Sequence, residues 1–143
     1  MKHSHIYVFF QFLFIGIILL QGPVLADGFI LLLLEAGGIL LGLWSIWVMG
    51  IGNFNITPET VKGGQMVARG PYRLIRHPMY TSVLLTLLPL VLSKLTIFRI
   101  LWYVLLLVTL CLKCRYEENL LEDHYSGYTE YRNRTWRIIP FLY

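Results

Sequence analysis

Four apolar runs, at 6–20, 29–51, 79–92 and 97–112, occupy most of this chain and leave short polar segments between them. With 57% hydrophobic and 14% charged residues over 143 positions, the chain carries more apolar surface than one small soluble core can bury. The expectation is an all-α integral membrane protein forming a single membrane domain over 1–143, with about four transmembrane helices. The run at 29–51 is long enough to cross a hydrocarbon core about 30 Å thick at about 1.5 Å per residue. The last two runs are shorter and are separated only by Ser93, Lys94, Leu95 and Thr96, so 79–112 reads as a helical hairpin. Lys94 and Arg99 at its tip are expected to snorkel to the far headgroups, or the bilayer to thin locally around them.

The distribution of basic residues gives the orientation, because Lys and Arg favour cytoplasmic loops. With the N-terminus inside, Lys2, Lys62, Arg69, Arg73, Arg76, Lys113, Arg115, Arg132, Arg134 and Arg137 all fall on the cytoplasmic side. Only Lys94 and Arg99 fall outside, and the segment 21–28 contains neither Lys nor Arg. Both termini are therefore expected in the cytoplasm, with the protein in the inner or plasma membrane if the cell is prokaryotic. A competing reading takes Lys2, the first run and Val24-Leu25-Ala26 before Asp27 as a cleaved signal peptide, which would remove the first span.

Between the second and third runs, 52–78 contains Thr57-Pro58, Gly63-Gly64 and Gly70-Pro71, each a breaker of regular structure, so turns and extended backbone are expected. From 113 to the end the chain turns amphipathic, which reads as an interfacial helix and tail broken near Ser126-Gly127. Tyr125, Tyr128 and Tyr131 suit an aromatic belt, and Arg132, Arg134 and Arg137 suit anionic lipid. Cys111 and Cys114 have CxxC spacing without a second pair, and read as small apolar helix residues rather than a metal or redox site. Neither a metal nor a nucleic-acid partner is expected.

Function is sought where charge is clustered, since Arg, His and Glu are costly in so apolar a chain unless they meet water or a ligand. Two clusters qualify: the segment from Gly70 to Tyr80, which contains Arg73, Arg76 and His77, and the pair Glu117-Glu118. The intervening hairpin returns the chain to the side from which it left, so His77 and Glu117 can meet. A pocket built there has water above and acyl chains at its flank. It suits a soluble cofactor meeting a lipid-like substrate.

These clusters resemble the isoprenylcysteine carboxyl methyltransferases and, more broadly, the membrane phospholipid methyltransferases. The resemblance rests on Gly64-Gln65-Met66-Val67, Gly70-Pro71-Tyr72, Arg76-His77-Pro78-Met79-Tyr80, Glu117-Glu118 with Leu121, the Tyr128 and Tyr131 spacing, and Ile139-Pro140. What it implies is a small enzyme transferring a methyl group from S-adenosylmethionine to a lipid-like or lipidated acceptor, carboxylate or amine, at the cytoplasmic face. Its implied cofactor contacts are Gly64, Gln65, Met66, Val67, Tyr72, His77, Pro78, Met79, Tyr80, Glu117 and Glu118. Lys113, with Arg115 close by, matches the basic position that serves the acceptor, although the family tends to have Arg where this chain has Lys113. The spacing from Glu118 to Tyr128 is one residue shorter than the usual pattern.

The cofactor's chemistry is compatible with these side chains. Its ammonium, sulfonium and ribose hydroxyls suit acceptors such as Glu117, its carboxylate suits Arg73, Arg76 or His77, and aromatic rings attract the sulfonium. A carboxylate acceptor needs no base, whereas an amine would draw on His77, His124 or Glu118. Two alternatives stand beside methyl transfer. The ending Arg137-Ile138-Ile139-Pro140-Phe141-Leu142-Tyr143 also resembles sterol-type membrane reductases using NADPH, and a small non-catalytic membrane scaffold fits the size and basic tail. A cysteine introduced beside Lys62 is expected to react only with reagents that reach the cytoplasm; labelling from outside intact cells would overturn the orientation.

Overall fold

A computed structural model of the protein describes residues 2–50 and 66–140, with side chains from His5 onward. Lys62, Gly64, Gln65 and the last three residues of the tail lie outside the described residues. The described chain is all-helical: α1 (Lys2–Leu20), α2 (Phe29–Met49), α3 (Pro78–Ser93), α4 (Ile97–His124) and a short α5 (Tyr128–Asn133), with a 3-10 turn over Gly70–Arg73. Two of these, α2 and α4, are long and apolar enough to cross a membrane. The apolar part of α1, His5–Leu20, and α3 are shorter.

Local chemistry sets the helix ends. Pro78 opens α3, where its missing N–H would have had no intrahelical partner in any case. Thr96 caps α4, its hydroxyl accepting from the Arg99 N–H at 3.3 Å. Within α3, Pro89 removes one backbone donor, and Ser93 Oγ donates to the Pro89 carbonyl at 2.8 Å.

The helices pack antiparallel in chain order, with α1 against α4, α2 against α3, and α3 against α4. The core between them is built from Phe14, Ile18, Leu84, Leu87, Leu90, Leu106, Leu110 and Cys114. Between α2 and α3 the contact is backbone to backbone. A Cβ on Gly38 would lie 2.5 Å from Thr86 Oγ1 and 2.6 Å from the Thr86 nitrogen, so only glycine permits this approach. Small residues at a helix contact are how helices in lipid gain van der Waals attraction, since burial from water offers little there. The outward faces of α1 and α2 expose Phe9, Phe12, Leu33, Leu40, Leu43 and Trp47, a surface that water would penalise and acyl chains would cover.

At the far end of the bundle the loops are tied down by polar groups. The Ala26 N–H donates to Glu35 Oε2 at 2.8 Å and the Asp27 N–H to Ser93 Oγ at 2.7 Å. Arg99 corrects an expectation: it does not snorkel outward but is 1% exposed, donating to the Lys94 and Ile18 carbonyls at 3.2 and 3.3 Å. The last carbonyls of two helices are short of partners, and a guanidinium can satisfy both at once. Lys94 is exposed.

The C-terminal part also differs from the sequence expectation. The last long helix continues unbroken to His124, so 113–124 is the end of α4 rather than a separate interfacial helix. Its amphipathic pattern arises because Lys113, Cys114 and Glu118 turn into the protein. The break falls at Tyr125–Gly127, near the expected Ser126-Gly127. Tyr128 is buried rather than part of an aromatic belt. Gly38→Ala is expected to lower stability by about 2 kcal/mol through overpacking against Thr86, read as a reduced Tm in detergent. Gly37→Ala, whose Cβ would meet nothing within 4 Å, should stay close to the parent.

Candidate functional site

The site begins at Gly70, whose φ of +57° is ordinary for glycine and strained for any L side chain. A Cβ there would also come within 2.8 Å of Val48 Cγ2, so the turn over Gly70–Arg73 lies directly on the end of α2. Pro71 and Tyr72 are buried beneath it. The chain then runs beside the C-terminal segment, with Ile75 and Trp136 forming an isolated parallel bridge. The Trp136 N–H donates to the Leu74 carbonyl at 2.9 Å, Arg76 N–H to the Trp136 carbonyl at 2.7 Å, and His77 N–H to the Arg137 carbonyl at 3.0 Å. Thr81 Oγ1 donates to the Ile138 carbonyl at 2.6 Å and extends the seam.

Because Pro78 follows it, His77 is excluded from helical geometry and sits at φ −120°, ψ 60°. Its imidazole enters the space beside α4, where Glu117 and Glu118 diverge by about 100° around the helix and bracket the ring. Nδ1 lies 3.3 Å from Glu117 Oε2, and Nε2 lies 3.4 Å from Glu118 Oε1. The second contact is within ion-pair range but lacks hydrogen-bond geometry, so His77 Nε2 has no hydrogen-bond partner among the described residues. The expected meeting of the two clusters is thus observed.

The two carboxylates differ in their surroundings. Glu118 is 2% exposed and held from both sides: Arg76 Nε donates to Oε1 at 2.8 Å, and Arg137 donates to Oε2 from Nη2 at 2.6 Å and from Nε at 2.9 Å. Arg76 is itself tied to the tail, donating to the Arg132 carbonyl at 2.9 Å and to the Thr135 carbonyl. Glu117 takes the Tyr80 hydroxyl on Oε1 at 2.6 Å. The Tyr80 ring stacks on His77 with centroids 5.5 Å apart, and Lys113 Nζ lies 4.9 Å from the Tyr80 centroid. Lys113 also donates to Gln11 Oε1 of α1 at 2.9 Å. Burial opposes a charged imidazole at His77, but the Cys114 thiol and the two glutamates outweigh it and hold the pKa well above the ordinary histidine value.

The residues singled out from sequence fall into three groups. Tyr72, His77, Pro78, Met79, Tyr80, Lys113, Glu117 and Glu118 are buried or half-buried around this centre. Met66 and Arg115 are exposed, and Val67 is half-buried. Gly64 and Gln65 lie outside the described residues. Arg73, a candidate for the cofactor's carboxylate, is exposed, and Arg76 is committed to Glu118 and the tail.

Sequence reasoning missed two participants, Arg137 and Gln11; Tyr128 and Tyr131 entered it through their spacing and as belt residues, and the Tyr131 hydroxyl is found donating to the Tyr72 carbonyl at 2.6 Å. Only Gln11 left a usable signal, as an amide set in an apolar helix. The tail residues look like ordinary interfacial Tyr and Arg until the seam brings them inward. Two buried polar atoms of the site, Tyr72 Oη and Tyr128 Oη, have no hydrogen-bond partner among the described residues. Such orphans are rare in native interiors and point to a ligand or ordered water. No group of three or more His, Cys, Asp or Glu suited to a metal occurs among the described residues.

A family profile described as phospholipid methyltransferase matches residues 26–127. No curated protein and no solved structure matches the chain. The match takes in α2, α3, the whole of α4 and with them His77, Tyr80, Lys113, Glu117 and Glu118, and it leaves out α1 with Gln11, α5 with Tyr128 and Tyr131, and the tail that supplies Arg137.

A raised pKa at His77 means that its contribution to stability is fully present below the unfolded value of 6.5 and is lost as pH climbs through the folded value. The protein is therefore expected to lose stability as pH rises from about 6.5, measured as Tm across a pH series. His77→Gln should flatten that slope, and an equal slope in both proteins would remove His77 as its source.

Proposed function

The chain belongs to the phospholipid methyltransferase family, and from that membership we propose that it uses S-adenosylmethionine to methylate a lipid-like or lipidated acceptor at the cytoplasmic face of a membrane. The observation that carries this proposal is the cluster in which Glu117 meets His77 and Tyr80 at the end of the α3–α4 hairpin. The residues present fit the cofactor. Glu117 and the aromatic faces of Tyr72 and Tyr80 suit a cationic ligand, and the unpartnered Tyr72 Oη suits its oxygen and nitrogen acceptors.

When bound, S-adenosylmethionine supplies a methyl group on a sulfonium that is already a good leaving group, so the protein has chiefly to align the reactants and exclude water. Glu117 would face the ligand's positive charge. Glu118 has a different role: both of its oxygens are occupied by Arg76 and Arg137, and it anchors His77 and the tail. Lys113 lies one turn from Glu117, buried among α1, α3 and α4, where it would draw an anionic group of the acceptor toward the methyl. Arg115 is exposed and would act only at the rim.

Neither His77 nor Glu118 is available as a base. His77 holds its proton between two carboxylates, and Glu118 is neutralised by two guanidiniums. This favours an acceptor that needs no base from the buried cluster, such as a carboxylate or an amine already neutral; His124, the third candidate, is exposed at the end of α4. Four spans with both termini in the cytoplasm complete the proposal. Arg69, Arg73, Arg115, Arg132 and Arg134 are all exposed at the end of the bundle that carries the site, as a cytoplasmic end requires.

Glu117→Ala and His77→Ala are each expected to weaken adenosylhomocysteine binding by at least about tenfold, the worth of one charge-assisted contact, while membrane insertion stays intact. Unchanged affinity in both variants would overturn the proposal. Stabilisation by NADPH instead would favour the reductase alternative.

A further inference from the structure

The tyrosines around the site are not equivalent. Tyr80 donates to Glu117 and Tyr131 donates to the Tyr72 carbonyl, each at 2.6 Å, whereas the hydroxyls of Tyr72 and Tyr128 have no partner among the described residues. Both unpartnered side chains are almost wholly buried, at 4% and 2% exposure. A buried hydroxyl without an acceptor is unfavourable, and a native interior tolerates it where something else occupies the position.

Tyr128 is within electrostatic reach of Glu117, Glu118 and Arg76. None of them hydrogen-bonds to its hydroxyl: Glu118 Oε1 takes Arg76 and Oε2 takes Arg137, Glu117 Oε1 takes the Tyr80 hydroxyl and Oε2 faces His77, and a guanidinium accepts nothing. Burial, with the two carboxylates nearby, raises the Tyr128 pKa and keeps the phenol protonated, so it is a donor. The position lies one residue beyond the family match, and its sequence context suggested an aromatic-belt role and a place in the spacing pattern but no ligand contact.

We infer that Tyr128 is a further cofactor-binding residue, its hydroxyl donating to an oxygen or nitrogen acceptor of S-adenosylmethionine. The inference rests on the proposed function and adds to it a contact from the tail. The cofactor, rather than the lipid acceptor, is the ligand because Tyr128 opens α5 on the polar side of the site, with Glu118, Arg76 and the tail. The apolar bundle lies on the other side, beyond Lys113.

The test uses the full chain in detergent, with adenosylhomocysteine as probe, and reads both affinity and the Tm of the unliganded protein for wild type, Tyr128→Phe and Tyr131→Phe. Tyr128→Phe is expected to weaken adenosylhomocysteine about tenfold while leaving the unliganded Tm equal or higher, because the hydroxyl it removes has no partner there. Tyr131→Phe, which removes a satisfied hydroxyl, should lower the unliganded Tm. Affinity of Tyr128→Phe within twofold of wild type would overturn the inference. So would weakened affinity together with a lowered unliganded Tm, because the hydroxyl would then have a protein partner already. A wild-type protein that does not bind adenosylhomocysteine would overturn the proposed function itself, a result distinct from a failure of the variant alone.

Discussion

One histidine held between two adjacent carboxylates organises this protein. An imidazolium buried to 8% exposure is costly unless its charge is answered, and Glu117 and Glu118 answer it at 3.3 and 3.4 Å. Two carboxylates side by side on a helix would in turn repel each other, and Arg76 and Arg137 neutralise the inner one. Each charge in the set thus depends on another. Removing one partner strands a buried charge, so the arrangement constrains the Gly70–Arg73 turn, α3, α4 and the tail to a single geometry.

The tail shows how this constraint spreads. A few backbone hydrogen bonds between 74–77 and 136–138 join two segments that would otherwise be loops, and they place Arg137 where Glu118 needs it. Arg76 adds carbonyl contacts at 132 and 135, so a single side chain ties the carboxylate, the loop and the tail together. The opposite end of the bundle is closed by Glu35, Ser93 and Arg99, which satisfy loop N–H groups and helix-end carbonyls. Polar residues are therefore concentrated at the two ends, and a middle of Leu, Ile and Phe supplies the packing. The charged cluster sits at one end, where water is near enough to answer its outer charges; in the apolar middle it would have none.

Most of the fold was legible in the sequence because helix formation in an apolar chain is a local matter. Run length, Pro78 and the Ser93 to Thr96 interruption mark helix ends that fall within a few residues of the observed ones, except the C-terminal end of α4, which runs on from 112 to His124. The division at 113 was not legible, since amphipathicity looks the same whether a helix lies on a membrane or turns its polar face into a protein. Arg99 was misjudged for a related reason: a long basic side chain near a helix end can reach headgroups or cap neighbouring carbonyls, and only the position of Ile18 and Lys94 decides.

Read alone, the sequence determined that the chain is helical and apolar, that its Arg, His and Glu residues gather near the helix ends, and that His77 and Glu117 leave and return on the same side. These follow from residue type and from the arithmetic of helix length. Tertiary structure alone decided which glutamate meets Tyr80 and which is held by two arginines, and which tyrosine hydroxyls stay unpartnered among the described residues. Those properties depend on distances between segments far apart in the chain. Residue type states what a side chain can donate or accept, and only packing determines what stands opposite it.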